Sequence, residues 1–237
     1  MTAVSVRLEE QNYAELEFCG TRIVADPRGC LYWPDEKLLI VSDLHLEKGS
    51  SFAARRGVFI PPYDTRQTLA NLGDCLALWQ PTTVISLGDS FHDLQASERL
   101  ADTDREILAG LMNGLDWIWI SGNHDPDPPK DLGGTFCQEL HIGLLNFVHE
   151  PLAGYQDGEI AGHLHPCAKI RRRGKSVRRR CLAGDGNRLI LPAFGAFTGG
   201  LNIRYEAFDG LLEQNSLRAW MLSGSGVYEI AGKHLIG

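Results

Sequence analysis

The chain has 237 residues, a hydrophobic fraction of 43% and a formal net charge of −7. This composition can fill a sizeable core, and no apolar run approaches the roughly 20 residues of a membrane-spanning helix, so the sequence predicts no transmembrane segment. The six cysteines are scattered without a Cys-x-x-Cys pair, which argues against a zinc ribbon or a dithiol redox motif. Because such thiols suit a reducing compartment, and residues 1–10 lack the pattern of a signal peptide, we expect a cytoplasmic protein.

No linker interrupts the pattern, so we expect a single domain over residues 1–237. Residues 1–33 predict an antiparallel β edge, with candidate strands at 4–8, 14–18 and 21–25 and a turn at 26–29.

Residues 37–125 alternate strand and helix patterns three times. Continuous apolar strands are predicted at 37–41, 82–87 and 116–120. A helix capped by Asp64 with Gln67 follows the first strand, and a Thr103–Glu106 capping box opens a helix after the second. This alternation predicts a mostly parallel, layered α/β sheet.

The second half reads as β structure. Strands are predicted at 144–149, 159–162, 189–191 and 203–208, and residues 218–222 and 227–230 predict a closing hairpin. We therefore divide the domain into the N-terminal edge, a central part at 38–166 and a C-terminal β part at 167–237.

Carboxylate, imidazole and amide side chains follow the predicted strands. Two histidines, His163 and His165, stand two residues apart after residues 159–162, and strand alternation predicts that both imidazoles leave on the same side. Comparable groups follow the other strands: Asp43, His45, Asp89, Asn123, His124 and His149.

Mixed carboxylate, imidazole and amide ligands suit Mn²⁺, Fe or Zn²⁺ better than a thiolate site. Seven candidate ligands are too many for one ion with open positions and fit two, with Asp89 between them. Two ions about 3.5–4 Å apart can hold a phosphoryl group and activate water. His141 and His234 are interpreted as ordinary histidines, and His92 as accessory.

The order Asp43-x-His45, Gly88-Asp89, Gly122-Asn123-His124-Asp125, His149 and Gly162-His163-x-His165 resembles the calcineurin-like metallophosphoesterase superfamily. The resemblance implies a sandwich of two mixed β-sheets flanked by helices. It implies one ion held by Asp43, His45, Asp89 and His165, and a second held by Asp89, Asn123, His149 and His163. It also implies that His124 contacts the scissile phosphate and assists the leaving group, with Asp125 orienting it. The chain departs from the family pattern where an acid is usual three residues after Asp89, because His92 stands there and Asp93 follows.

Flanking segments resemble the DNA-ligase-associated metallophosphoesterases of bacteria, among them Asp43-Leu44-His45-Leu46-Glu47-Lys48-Gly49 and Leu191-Pro192-Ala193-Phe194-Gly195. That resemblance implies phosphodiester hydrolysis in DNA repair, beside a ligase or helicase system.

Residues 169–180 hold eight basic residues and no acid. As a hairpin with Gly174 at its turn, this run would stand beside the metal motifs and contact substrate phosphates. A solvated hairpin without substrate contact is the alternative. The run contains no aromatic side chain for base stacking, which argues against sequence reading. The candidate phosphate contacts are Arg171, Arg172, Arg173, Arg178, Arg179 and Arg180.

The sequence therefore predicts a phosphodiesterase or nuclease with two divalent ions, Mn²⁺ first with Fe or Zn²⁺ as alternatives. The expected partner is nucleic acid, such as single-stranded or damaged DNA. One alternative is a phosphatase or pyrophosphatase for a nucleotide or lipid-linked metabolite, and another is a degenerate scaffold of the same fold. The complete ligand set argues against the scaffold, which has no use for it.

Overall fold

A computed structural model describes residues 13–51, 63–126, 132–154 and 156–237. The candidate strand at 4–8 lies outside the described residues.

The first sheet has seven strands in sequence order, antiparallel at its start and parallel from the fourth strand onward. It is formed by β1 Ala14–Phe18, β2 Thr21–Ala25, β3 Leu31–Trp33, β4 Leu38–Val41, β5 Thr83–Leu87, β6 Asp116–Ile120 and β7 Thr135–Cys137. The predicted strands at 14–18 and 21–25 of the antiparallel edge and the three apolar strands are thus confirmed. The short β7 was not predicted, since three residues with two partly buried side chains carry little pattern.

Three helices lie entirely within the described residues, α1 Asp64–Trp79, α2 Ala96–Arg99 and α3 Asp102–Met112, and residues 48–51 are also helical. The predicted helix start at Asp64 is confirmed, whereas both predicted caps were wrong. Tyr63 is the N-cap of α1, and Asp64 lies inside the helix, where its carboxylate accepts a hydrogen bond from Gly49 N at 2.7 Å. Ala101 precedes α3 without a side-chain cap, so the Thr103–Glu106 capping box does not form.

The second sheet is mixed and runs in the order β14-β11-β12-β13-β10-β9-β8, with β15 paired to β12 and β16 paired to β15. Its strands are β8 Glu139–Ile142, β9 Leu145–Val148, β10 Glu159–Ala161, β11 Pro166–Arg172, β12 Lys175–Gly184, β13 Arg188–Ile190, β14 Leu201–Asn202, β15 Arg218–Ser223 and β16 Gly226–Ala231. The basic run forms the β11–β12 hairpin, with Arg173 and Gly174 at the turn, and β15–β16 is the predicted closing hairpin. A strand at 203–208 was wrong, because β14 ends at Asn202 and a 3₁₀ turn spans Glu206–Phe208.

Strand alternation divides the apolar residues between separate cores. In β4, Leu38 and Ile40 face the second sheet, whereas Leu39 and Val41 face the helices. Leu69 and Leu72 of α1 pack in that helix-side core. A third core covers the outer face of the second sheet and includes Phe208, Leu212 and Leu217. The protein is therefore a two-sheet sandwich with helices over the first sheet, as the resemblance implied.

Within the described ranges, no helix is long and apolar enough to cross a membrane.

Candidate metal centre

The candidate ligands lie where the carboxyl ends of both sheets meet. The loops after β4 and β5 run side by side, because Asp43 N donates to Gly88 O at 3.2 Å and His45 N donates to Asp89 O at 2.9 Å. The second sheet joins them, since His163 N donates to Asp43 Oδ2 at 3.1 Å. Functional groups of open α/β sheets collect at such an edge.

Asp43, His45 and His165 form the first group of possible ligands. The two Nε2 atoms of His45 and His165 lie 3.3 Å apart, and His165 Nε2 lies 3.1 Å from Asp43 Oδ1. Three ligand atoms converge on one point in a pocket where Asp43 is fully buried.

Asp89, His149 and His163 form the second group, and Asn123 joins it. His149 Nε2 lies 3.0 Å from Asn123 Oδ1, 3.3 Å from His163 Nδ1 and 3.4 Å from Asp89 Oδ1. The other ring nitrogen, His149 Nδ1, lies 2.8 Å from the Leu87 carbonyl oxygen. Because a carbonyl can only accept, Nδ1 carries the proton and Nε2 is left as the ligand atom.

Asp89 lies between the two groups. Its Oδ1 faces His149, and its Oδ2 lies 3.9 Å from His45 Nε2. One carboxylate thus offers an oxygen to each group, which is the arrangement of a bridging ligand.

His163 and His165 do not point at one site. His163 belongs to the second group and His165 to the first, so the prediction that strand alternation aims both imidazoles the same way was wrong. The strand ends at Ala161, and His163 and His165 have left-handed backbones with φ of 67° and 46°. A turn therefore replaces the strand alternation, and it distributes the pair between the groups as the resemblance implied.

The charges of the site are strongly coupled. Burial lowers the pKa of His45 to about 3, so this imidazole is neutral and its ring nitrogens can bind a metal. Burial opposes the ionisation of Asp89, yet hydrogen bonding and charge from His149 lower the Asp89 pKa to about 2. Burial likewise opposes the charge on His149, but Asp89 and Asp43 raise its pKa to about 9. The buried carboxylates thus favour positive charge at this position.

The residues fit divalent metals by geometry and by charge. Ligands at 2.0–2.2 Å from an ion lie about 3.0–3.6 Å from one another, and the contacts between the imidazole nitrogens fall in this range. Two groups with Asp89 between them therefore suit two ions.

Two glycines let the loops approach this closely. A Cβ at Gly122 would overlap Asp89 N and Asp89 Oδ1, and a Cβ at Gly162 would overlap Ser42 Oγ. Ser42 Oγ donates to Asp43 Oδ2 at 2.5 Å and fixes that carboxylate. Ser42 was missed as a supporting residue, although its place beside Asp43 at a strand end could have indicated it.

His124 lies at the mouth of the site with its side chain 42% exposed. Its Nε2 lies 4.0 Å from Asp89 Oδ2, and its Nδ1 lies 2.9 Å from the His92 carbonyl oxygen. The rings of His92 and His124 stack at 5.3 Å between centroids. The ring orientation of His124 is therefore set by His92, which gives the accessory role of His92 a physical basis.

Asp125 does not orient the His124 ring. It is buried and accepts hydrogen bonds from Phe91 N at 3.0 Å and Gly122 N at 3.2 Å. Burial raises the pKa of Asp125 to about 7. Its contacts hold the loops after β5 and β6 together, which corrects the role that the resemblance implied.

Asp93 lies outside both ligand groups. It accepts hydrogen bonds from Ser51 Oγ at 2.7 Å, from Arg99 Nη2 at 2.9 Å and from Gln95 N at 3.0 Å. Asp93 therefore fixes the loop that carries His92 and Phe91.

The six arginines of the hairpin have different surroundings. Arg171, Arg172 and Arg173 are exposed near the turn, whereas Arg180 is partly buried and donates to Ala193 O at 2.7 Å. Arg178 donates to the Gly200 carbonyl, and Arg179 Nη1 donates to Arg178 O at 2.9 Å. The run is therefore not a uniform cationic surface.

Asp26, Cys30 and Cys75 form a further group within metal-binding distance. Asp26 already pairs with Arg28 at 2.7 Å and accepts from Trp79 Nε1 at 2.9 Å. Burial raises the pKa of the Cys30 thiol well above its ordinary value, so this group is a satisfied buried cluster.

Comparisons with known proteins give a matching family and similar solved structures. The calcineurin-like phosphoesterase family model matches residues 36–190. The crystal structure of Pseudomonas putida nuclease MPE is similar with a TM-score of 0.71 and 28% identity, over 92% of this chain and 100% of that chain. Yfce, a phosphoesterase from E. coli, gives a TM-score of 0.42 and 16% identity, over 82% of this chain and 98% of that chain. No curated protein sequence matches the chain.

The matched segment extends over most of the chain and contains every residue of both ligand groups. The chain belongs to the calcineurin-like phosphoesterase family.

Proposed function

We propose that the chain is a phosphodiesterase that uses two divalent metal ions, with Mn²⁺ as the preferred metal, to cleave nucleic acid. Family membership gives phosphoester hydrolysis as the reaction class. The observation that carries the dinuclear proposal is Asp89, whose two oxygens face two separate ligand groups.

Seven residues would hold the ions: Asp43, His45, Asp89, Asn123, His149, His163 and His165. Two bound ions supply charge for the phosphoryl oxygens and lower the pKa of a bound water. The residues around them set the geometry, because Ser42 and His163 N fix Asp43, and Leu87 O fixes the tautomer of His149.

His124 is the proposed general acid. The His92 carbonyl keeps a proton on His124 Nδ1, so Nε2 is the atom that exchanges a proton. Its exposure allows Nε2 to take a proton from water. In the cationic form, Nε2 can donate that proton to the leaving oxygen of a substrate at the mouth of the site.

Two observations support nucleic acid as the substrate. The similar Pseudomonas putida protein is a nuclease, and the basic β11–β12 hairpin begins directly after His165. The resemblance to ligase-associated enzymes extends the proposal to a cytoplasmic role in DNA repair.

The test compares bis-p-nitrophenyl phosphate, a diester, with p-nitrophenyl phosphate, a monoester, in the presence of Mn²⁺. A 5′-labelled single-stranded DNA is then tested for internal cleavage. We expect faster turnover of the diester and cutting of the DNA. Turnover of the monoester alone would instead favour the phosphatase alternative.

A further inference from the structure

A second pocket lies beside the metal centre and is lined by cationic groups. Its volume is about 560 Å³, and its lining includes Arg28, Arg178, Arg180, Thr198 and Gly200. It lies between the base of the β11–β12 hairpin and the loop at 198–200.

Arg178, Arg179 and Arg180 of β12 all line this pocket, and the hairpin register separates them by face. Side chains alternate along a strand, so Arg178 and Arg180 share one face of β12. Their partners on β11 are Lys169 and Cys167, which lie on the same face. Arg172, near the turn, lies on the opposite face of the hairpin, outside the pocket lining.

The arginine charges at the pocket are unequal. Arg28 is neutralised by Asp26 at 2.7 Å. Arg180 donates to the carbonyl oxygens of Ala193 at 2.7 Å and Arg28 at 3.4 Å, and no described carboxylate pairs with it or with Arg178. Burial lowers the pKa of Arg180, since no nearby carboxylate offsets the loss of water. A guanidinium has five N–H donors, so both arginines keep donors for a ligand.

The loop opposite the arginines also has unused donors. Thr198 Oγ1 is buried and has no hydrogen-bond partner among the described residues. In the same part of the chain, the backbone N–H groups of Thr198, Gly199 and Gly200 donate to no described group. Buried polar groups are normally paired, so an orphaned hydroxyl beside unneutralised guanidinium groups indicates a site for a polar anion.

The pocket adjoins the first ligand group. Leu201 N donates to His165 O at 3.1 Å, and a Cβ at Gly200 would overlap that same carbonyl. On the other side of the loop, Gly195 N donates to Asp43 O at 3.1 Å. A strand bound at the metal centre would therefore have this pocket beside it on the His165 side.

We propose that this pocket binds a backbone phosphate of the nucleic-acid strand, next to the phosphate that is cleaved, through Arg178, Arg180 and Thr198. The proposal rests on the proposed function and names the part of the protein that distinguishes a strand from a small diester. Arg171, Arg172 and Arg173 at the turn contribute general charge only.

The test measures kinetics on a 12-nucleotide single-stranded DNA and on bis-p-nitrophenyl phosphate, with Mn²⁺, for Arg178→Gln, Thr198→Val and the control Arg172→Gln. Glutamine keeps an amide donor for the Gly200 carbonyl, and the control removes the same charge from the turn. A charge-assisted contact is worth roughly tenfold in binding, so Arg178→Gln should raise the KM for DNA about tenfold. The factor by which Arg178→Gln raises KM should be at least five times larger for the DNA than for the small diester. Arg172→Gln should shift either KM by less than about threefold. Thr198→Val should also raise the KM for the DNA, by a smaller factor than Arg178→Gln.

If Arg178→Gln and Arg172→Gln raised the KM for the DNA equally, the proposed phosphate site would be contradicted, since only general charge would then matter. Circular dichroism and thermal unfolding of each variant show whether the fold is kept, and Thr198→Val provides the test if Arg178→Gln does not fold.

Fluorescence anisotropy of labelled (dT)12 on the metal-loaded protein separates the two proposals. If the wild type cleaves no DNA, the proposed function fails. The phosphate site would still be supported if Arg178→Gln weakened the binding of (dT)12 and Arg172→Gln did not. No binding of (dT)12 by the wild type would overturn the pocket.

Discussion

Five of the seven proposed metal ligands have a left-handed backbone. Asp43, His45, Asp89, His163 and His165 all have φ between 44° and 67°, in the left-handed region. This conformation costs roughly 1–2 kcal/mol for each residue that is not glycine. Five such residues in one place indicate that the fold holds strained backbone at the site, as is common where geometry serves function.

Replacement of Asp89 by alanine should remove the carboxylate that the two ligand groups share. We expect Asp89→Ala to lose at least one ion per chain and nearly all turnover. Elemental analysis of purified protein measures this loss. Retention of both ions by the variant would remove Asp89 from the bridging role.

His124 should be separable from metal binding. We expect His124→Ala to keep its metal content and fold while turnover falls about 10²–10⁴-fold, the usual contribution of a general acid. His141→Ala is the matched control, because His141 is an exposed histidine in β8 outside both groups. Wild-type turnover in His124→Ala would show that this side chain is only structural.

At the scale of elements, the site depends on how closely the loops after the strands approach. The strand positions follow from apolar runs such as Leu38–Val41, which the sequence shows directly. The loop conformations do not, because left-handed residues such as His163 depend on contacts from distant segments. For the same reason strand alternation did not predict the separation of His163 from His165, which only the family resemblance implied.

Gly162→Ala tests this close approach. The new methyl group would overlap Ser42 Oγ and lie 2.8 Å from Asp43 Oδ2, so the loop must move. Overpacking of this kind costs about 1–3 kcal/mol, and we expect a lower melting temperature together with weaker metal binding.

Gly110→Ala is the control for that substitution. Gly110 lies in α3 with no atom within 4 Å of a new Cβ, and alanine there should stabilise the helix by up to about 1 kcal/mol. Similar melting temperatures for both variants would contradict the crowded loop at Gly162.

For the whole molecule, the second sheet must be held in place so that His149, His163 and His165 face the first sheet. The buried Arg188 of β13 contributes to this. It contacts Glu159 Oε1 of β10 at 2.5 Å, Leu211 O at 2.6 Å and Leu152 O at 2.5 Å. The alternating pattern of the second half predicted the strands, but a single arginine among many basic residues gave no sign of this buried network.

Arg188→Met should destabilise the protein by about 3–5 kcal/mol, because it leaves the Glu159 carboxylate buried without its partner. Denaturant unfolding measures the change. Burial already raises the pKa of Glu159, so the loss in the variant should grow as the pH rises and Glu159 must ionise.

The double variant Arg188→Met/Glu159→Gln should recover part of that stability, since it removes the unpaired charge. A single variant as stable as the wild type would show that the network contributes nothing to the stability of the second sheet.

The most direct test of the account is the metal requirement of diester hydrolysis, measured with the metal content of the same sample. Protein is treated with a chelator, dialysed and titrated with Mn²⁺ while turnover of bis-p-nitrophenyl phosphate is followed. We predict loss of turnover on chelation and recovery that saturates at two ions per chain, in keeping with two ligand groups that share Asp89. Turnover that persists after complete metal removal, or full recovery at one ion per chain, would contradict the dinuclear centre.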